Sequence, residues 1–259
     1  MAFAEIDGIR IHYEIIGDAS LPTLVLSHSL GVSLAMWEPQ VKALAPHFRL
    51  LRYDTRGHGE SSIPSGPYSP ADLGKDVLNL LDALGITQAC FCGLSMGGVV
   101  GQWLGVNAPN RLHKLVLANT AAKIGVVDTW NTRIATVLHD GLATVIPGTL
   151  ERWFTPDFRA SNPGIVATTE ATLQSTSRQG YAACCAVIRD ADFRASVSTI
   201  STPALVIAGS HDPVTSPEDG RFLADHIAGS RYVELQAAHL SNVEAASAFN
   251  AALLSFLIS

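Results

Sequence analysis

Residues 89–106 read ACFCGLSMGGVVGQWLGV. A run of small apolar residues, Ala89 to Leu94, gives way at Ser95 to a helix-like pattern, with glycines at positions 93 and 97. The first half has the continuous hydrophobicity of a strand buried on both faces. The second half predicts a helix that stops before Pro109. Ser95 therefore stands at a strand–turn–helix junction and fits Gly-x-Ser-x-Gly. A serine in a tight turn is ordinary, but this setting gives it chemistry. The flanking glycines allow a sharp, strained turn. That turn lifts the hydroxyl clear of the sheet and leaves the Met96 N–H free, at a helix N-terminus, to bind a developing oxyanion.

Outward from this junction the same design recurs. The Asp7–Gly8 turn predicts a hairpin over residues 2–16. Buried strands are expected at Thr23–Leu26, at 49–54, through LHKLVLANT, through TPALVIAGSHD and through RYVELQAAH. Helices are expected in MWEPQVKALAPH, over 70–84, where Leu73, Val77, Leu80, Leu81 and Leu84 are helically spaced, and over 241–258 as one closing amphipathic helix. Alternating buried strands and helices predict an α/β fold with a mostly parallel sheet covered on both faces. Residues 121–199 break that rhythm, with helical periodicity and no strand pattern. The expected organisation is a core of residues 1–120 and 200–259 with a helical cap, or lid, at 121–199, over the strand ends where ligands bind.

A serine hydroxyl needs a base, and the base needs an orienting carboxylate. In such a sheet these follow in the chain order Ser, Asp or Glu, His. Among nine histidines, His239 lies just after the last strand in a small-residue loop. His211 would crowd the carboxylate, and His226 falls in a helical pattern. Asp212 ends the strand PALVIAGS and is stopped by Pro213. Asp190 and Asp192 sit in the insertion, and Asp219 reads as first-turn helix charge. Asp54 also ends a strand but precedes Ser95; in DTRGHG it is expected to brace a loop through Arg56 and His58. The loop SHSLG after the first buried core strand should supply a second oxyanion donor, the Leu30 N–H, with Gly31 giving close approach and His28 stabilising the loop.

Bulk properties narrow the classes. Apolar residues make up 47% of the 259 and charged residues 15%, which fits a globular chain with a large core. A net charge of −6 without any Lys/Arg cluster argues against nucleic acid and anionic membrane as partners. Charges at Glu5, Asp7 and Arg10 are unlike a signal peptide, and no run is long and apolar enough to span a bilayer. Four cysteines without zinc-ligand spacing or a disulfide pattern suggest a reducing, cytoplasmic setting.

SHSLGVSLAMWEPQ, RYDTRGHGESS, GLSMGG, GSHDPVT and AAHLSNVE together resemble the α/β-hydrolase superfamily over nearly the whole chain. The first and third, with LERWFTPDF at 150–158, are also similar to 3-oxoadipate enol-lactonases. Where the wider superfamily has His-Gly, this chain has His28–Ser29, which is compatible with the lactonase group. Haloalkane dehalogenases share the fold but carry Asp at the position of Ser95. The resemblance implies a small lactone substrate of aromatic degradation that bears a carboxylate, attack by Ser95 with His239 and Asp212, and no metal or organic cofactor. A general carboxylesterase or a hydrolase-fold binding protein are the alternatives.

A dicarboxylate product calls for a cation in the insertion. In VDTWNTRIATVLHDG, Trp130, Arg133, Ile134 and Val137 share one helix face. Either Arg133 meets the substrate carboxylate with Trp130 against the ring, or its stem covers apolar surface while the guanidinium reaches water. Arg189, Arg178 and Lys123 compete for the same role.

Overall fold

The computed structural model describes residues 2–259. Strands β1 (Ala2–Ile6) and β2 (Ile9–Ile16) form the expected hairpin. Its turn residues Asp7 and Gly8 both have positive φ, the arrangement whose twist matches paired strands. Six further strands follow: β3 (Thr23–Ser27), β4 (Arg49–Tyr53), β5 (Ala89–Leu94), β6 (Leu112–Ala118), β7 (Ala204–Gly209) and β8 (Arg231–Leu235). The sheet order is β1-β2-β4-β3-β5-β6-β7-β8; β2 is antiparallel to both of its neighbours and every other pairing is parallel. Every residue of β3, β5 and β7 is buried, so both faces of the central sheet are covered.

The chain runs from β3 outward to β4, then crosses back to place β5 on the other side of β3. The order of strands reverses there, and the crevice at the carboxyl ends of β3 and β5 is where an open α/β sheet takes its ligand. Ser27 pairs with Gly93 in register, so the loop after β3 and the turn after β5 leave the sheet side by side.

Core helices are α1 (Glu38–Leu44), α2 (Pro70–Ala83) and α3 (Met96–Asn107). Between β6 and β7, which pair directly, residues 121–199 form α4 (Val127–Asp140), α5 (Ile146–Trp153), α6 (Pro156–Ser161), α7 (Pro163–Ser175) and α8 (Arg178–Asp190), with no strand among them. After β7 come α9 (Pro217–His226), α10 (Ser241–Glu244) and α11 (Ala246–Leu257). Helix α1 packs with α11, and α2 with α3. The base of the inserted segment is closed by Phe193 N–H donating to Ala122 O (2.8 Å). Its far side is tied to the core by Thr176 Oγ1 donating to Gly31 O (2.8 Å) and Tyr68 N–H donating to Ala183 O (3.3 Å).

Two expectations need correction. The closing segment is two helices, broken at Ala245 (φ −116°, ψ 42°). Ser241 and Asn242 are fully buried and hydrogen-bond to Asn119 and to Met36 O and Gln40, so α10 is fixed by core contacts that α11 cannot share. Asp54 does brace a loop, but not through its chain neighbours. It accepts from His12 Nδ1 (2.7 Å), Leu34 N–H (2.7 Å) and Glu60 N–H (3.0 Å), while Arg56 turns away to pair with Asp76.

All four cysteines are buried and free. No helix among the described residues is long and apolar enough to cross a membrane.

Removing the Asp54 carboxylate would strand the buried donors of His12 and Leu34 and free the part-buried Glu60 N–H. Asp54→Ala is expected to cost about 3 kcal/mol of stability, measured by urea unfolding; a loss within experimental error would show that the loop is held by other contacts.

Candidate active site

The turn after β5 is strained. Ser95 has φ 57° and ψ −111°, a region non-glycine residues enter at a cost of ~1–3 kcal/mol. It is held by its N–H donating to Ala118 O (3.0 Å) and by its carbonyl accepting from Val99 N–H (3.0 Å) and Thr120 Oγ1 (2.9 Å). A Cβ at position 93 would strike the Gly97 carbonyl, and one at position 97 the Ser27 carbonyl. Both glycines are thus required by close packing of α3 on β3 and β5.

His239 follows β8 and is 1% exposed. Its Nδ1 donates to Asp212 Oδ2 (2.8 Å), which leaves Nε2 as the acceptor. Asp212 also accepts from Val214 N–H (2.8 Å), Thr215 N–H (3.1 Å), Thr215 Oγ1 (2.8 Å) and Asn119 Nδ2 (3.0 Å). Burial alone would raise the Asp212 pKa. The adjacent His239 and the donors from Asn119 and Thr215 outweigh it, and the carboxyl is held below its ordinary value.

The loop after β3 carries Leu30, whose N–H donates to no other group among the described residues. Met96 is the first residue of α3, so its N–H has no helical acceptor. Two neutral imidazoles hold this loop. His28 Nδ1 donates to Ser29 O (2.7 Å) while its Nε2 accepts from Thr55 N–H (3.0 Å). His58 Nε2 accepts from Gly31 N–H (2.8 Å). Burial, and then the His28 imidazole, push the His58 pKa down to about 3; burial also lowers that of His28. Gly31 has φ +84°, and a Cβ there would press on Leu173 and Tyr181 of the inserted segment.

Ser95, His239, Ser29 and Leu30 line one cavity of about 50 Å³, well below the usual size of a ligand site. The inserted segment supplies much of the rest: Trp130, Arg133, Thr149, Arg152, Trp153 and Tyr181. Arg133 does not reach for water. Its Nε donates to Tyr181 Oη (2.8 Å) and its Nη2 to Thr149 Oγ1 (2.6 Å). Trp130 is fixed by Nε1 donating to Ile124 O (2.7 Å). Neither Arg133 nor Arg152 has a carboxylate partner among the described residues. Burial, and then the charge of Arg133, press the Arg152 pKa below the usual guanidinium value. Two guanidiniums without an ion-pair partner thus line the cavity. Arg189 is engaged by Asp190 and Asn131, Lys123 by the carbonyls of Arg189 and Ala191, and Arg178 is exposed.

The other carboxylates weighed from the sequence lie elsewhere. Asp190 and Asp192 pair with Arg189 and Arg194, and Asp219 closes a capping box with Ser216. His211 is exposed. Among the described residues no cluster of three or more His, Cys, Asp or Glu side chains could hold a metal ion.

Sequence reasoning missed Asn119, Thr215, Arg152, Trp153 and Glu244. The Trp153 ring is tilted by 30° from that of His239, at 6.5 Å between centroids. Glu244 accepts from Ala238 N–H (2.9 Å) and from the Thr155 hydroxyl, and Leu240 N–H donates to Trp153 O (3.1 Å). Both neighbours of His239 are thus tied to the end of α5 and the residues that follow it. The stretch LERWFTPDF contains Arg152, Trp153 and Thr155, so the motif was visible although no role could be given to its members.

Residues 22–246 match the family described as alpha/beta hydrolase fold. The chain belongs to the α/β-hydrolase family. It is 46% identical over 245 residues to 3-oxoadipate enol-lactonase 2 of Acinetobacter baylyi, covering 95% of this chain and 92% of that one. It is 43% identical over 237 residues to 3-oxoadipate enol-lactonase 1 of the same organism, covering 92% and 89%. The crystal structure of the enol-lactonase from Burkholderia xenovorans LB400 superposes with a TM-score of 0.98 at 45% identity, covering 100% of both chains.

The neutral imidazoles make stability depend on pH. His58 is depressed in the folded state, so below its unfolded value near 6.5 the unfolded chain binds a proton that the folded chain refuses. Stability should fall as pH drops from about 6.5 toward 3. His58→Gln, whose amide oxygen can still accept from Gly31, should flatten that decline in urea titrations at stepped pH; an unchanged slope would remove His58 as a source.

Proposed function

We propose that this α/β hydrolase is a 3-oxoadipate enol-lactonase: it hydrolyses the five-membered enol-lactone to 3-oxoadipate in the degradation of aromatic compounds. One observation carries the substrate choice. A serine at a nucleophile elbow and a histidine–aspartate pair share a small cavity with two arginines that lack carboxylate partners. An esterase for neutral substrates would bear the desolvation of two guanidiniums to no purpose. A substrate with its own carboxylate supplies the missing charge. The similarity to enol-lactonases over nearly the whole chain supports the same reading.

In this mechanism Ser95 Oγ attacks the lactone carbonyl as His239 Nε2 takes its proton. Asp212 holds the imidazole by Nδ1 and stabilises the imidazolium. The Leu30 and Met96 N–H groups bind the oxyanion. Collapse breaks the ring C–O bond, and His239 returns the proton to the leaving enol oxygen, which stays tethered within the acyl chain. The enol tautomerises to the ketone. Water, deprotonated by His239, then attacks the acyl-enzyme and releases 3-oxoadipate. These steps call on no metal or organic cofactor. Arg133 and Arg152 hold the carboxymethyl arm, and Trp130 packs against the ring. Residues 121–199 serve as the lid over a core of 1–120 and 200–259. The enzyme acts on a small molecule in the cytoplasm.

Ser95→Ala should fold normally by circular dichroism yet lose about 10⁴-fold in kcat on the enol-lactone. Near-normal turnover would end the nucleophile assignment. Arg152→Met should lower kcat/KM for the enol-lactone by about 2–5 kcal/mol of transition-state binding and collapse its preference over a neutral ester of similar size. Arg133→Met should do the same and also lower the melting temperature, because Arg133 anchors Tyr181 and Thr149. Equal losses on charged and neutral substrates would take either arginine out of recognition.

A further inference from the structure

His239 is carried on a short loop between β8 and α10. Its own N–H makes no hydrogen bond among the described residues, so the backbone of the imidazole is fixed through its neighbours. After it, Leu240 N–H donates to Trp153 O (3.1 Å). Before it, Ala238 O accepts from Asn119 Nδ2 (3.2 Å) and Ala238 N–H donates to Glu244 Oε2 (2.9 Å). Glu244 is half-buried and has no ion-pair partner among the described residues. Its charge is answered by donors alone. Besides Ala238 N–H these are the hydroxyl of Thr155 and the Thr155 N–H (3.3 Å). Thr155 caps α6 in the inserted segment, while Glu244 ends α10, which Ser241 and Asn242 pin to the core. A carboxylate has two oxygens that accept in several directions, and its charge strengthens each bond. One side chain thus receives the loop of His239 and the inserted segment together. Glu244 does not border the cavity of Ser95; it faces a separate cleft with Thr155, Ala238 and His211. Its route to the reaction is therefore through the chain.

We propose, taking His239 as the base of the reaction described under Proposed function, that Glu244 is a positioning residue for it: a latch through which the inserted segment fixes the peptide unit just before the imidazole. Glu244→Ala leaves the Ala238 N–H without its acceptor and cuts the connection to Thr155. Glu244→Gln keeps the connection without the charge. Its amide oxygen can take the Ala238 N–H, and its NH2 can donate to Thr155 Oγ1. Thr155→Val removes the hydroxyl on the side of the inserted segment and leaves the Ala238 bond in place.

The test measures these variants and the Glu244→Ala/Thr155→Val double variant as purified full-length enzymes. The substrates are the enol-lactone and p-nitrophenyl acetate, a neutral ester that needs the base but offers the arginines no carboxylate. A displaced base should lower kcat of Glu244→Ala on both substrates by about tenfold to a hundredfold, with KM for the neutral ester nearly unchanged. The far-downfield proton NMR signal of the His239 Nδ1–H···Asp212 bond should broaden or move. Glu244→Gln should recover most of kcat and the signal. Thr155→Val should lose less than Glu244→Ala, and the double variant should be little worse than Glu244→Ala, because both changes cut one connection. A folded Glu244→Ala enzyme with normal kcat and an unmoved signal would overturn the proposal, even if its melting temperature fell. So would equal losses in the Ala and Gln variants. Should Glu244→Ala fail to fold, normal kcat in Thr155→Val would overturn the latch. If the unaltered enzyme hydrolyses p-nitrophenyl acetate but not the enol-lactone, the lactonase reading falls and the neutral ester alone decides the role of Glu244; inactivity on both would sink both.

Discussion

Ser95 is held at φ 57° and ψ −111° by a turn that leaves no space for a side chain at Gly93 or Gly97. This constraint organises the centre of the molecule. A backbone so bent persists only when its surroundings over-determine it. Here α3 lies against β3 closely enough that the Ser27 carbonyl occupies the place a Cβ of Gly97 would take. Ser95 N–H is fixed to the end of β6, and its carbonyl receives bonds from α3 and from Thr120 beyond β6. Because β3 and β5 are neighbours in register at Ser27 and Gly93, the same packing sets the loop of Leu30 beside the elbow. The N–H groups of Leu30 and Met96, from distant parts of the chain, are thereby carried on adjoining turns.

Electrostatics complements this rigidity. Around His239 the charge is answered: Asp212 meets four donated hydrogen bonds besides that of His239, and the loop of Leu30 rests on imidazoles kept neutral by burial. On the inserted side the balance is left open. Arg133 and Arg152 bear on one another without a carboxylate between them. Like charges close together in a sheltered place are unfavourable until an anion arrives. In the lactonase proposed above, a substrate carboxylate would supply the missing charge, and binding of that end would position the carbonyl at the other.

Much of this could be read in advance because burial dominates the signal. Strands β3, β5 and β7 are buried on both faces, so their continuous apolar runs stand out, and Ser95, Asp212 and His239 fall at strand ends where the alternating rhythm makes them conspicuous. Contacts across long separations were not legible. Asp54 sits two residues from Arg56 and four from His58, yet its partners are His12, Leu34 and Glu60, because the chain turns there and sends Arg56 to Asp76 and His58 to Gly31. Asn119 takes a left-handed φ of 42° at the end of β6 and points its amide at Asp212, a role no periodicity announces. Arg152 was hidden for a related reason. Its helix is only eight residues long, too short for a stripe pattern to single out one cation.

The core and the inserted segment are joined at His239 itself. Ala238 N–H, before His239, donates to Glu244, whose carboxylate also takes the Thr155 hydroxyl; Leu240 N–H, after it, donates to Trp153 O. The Trp153 ring in turn lies 6.5 Å from the imidazole between centroids and is chain neighbour to Arg152. Displacing the end of α5 from the core would therefore break hydrogen bonds on both sides of His239 as well as carry Arg152 away. Since lost bonds to buried N–H groups are expensive, this packing couples the position of His239 to that of Arg152. In the proposed reaction, an anion that holds Arg152 in place would also hold the backbone that carries His239, so that a group remote from the reacting carbonyl would steady the geometry at which the carbonyl is attacked.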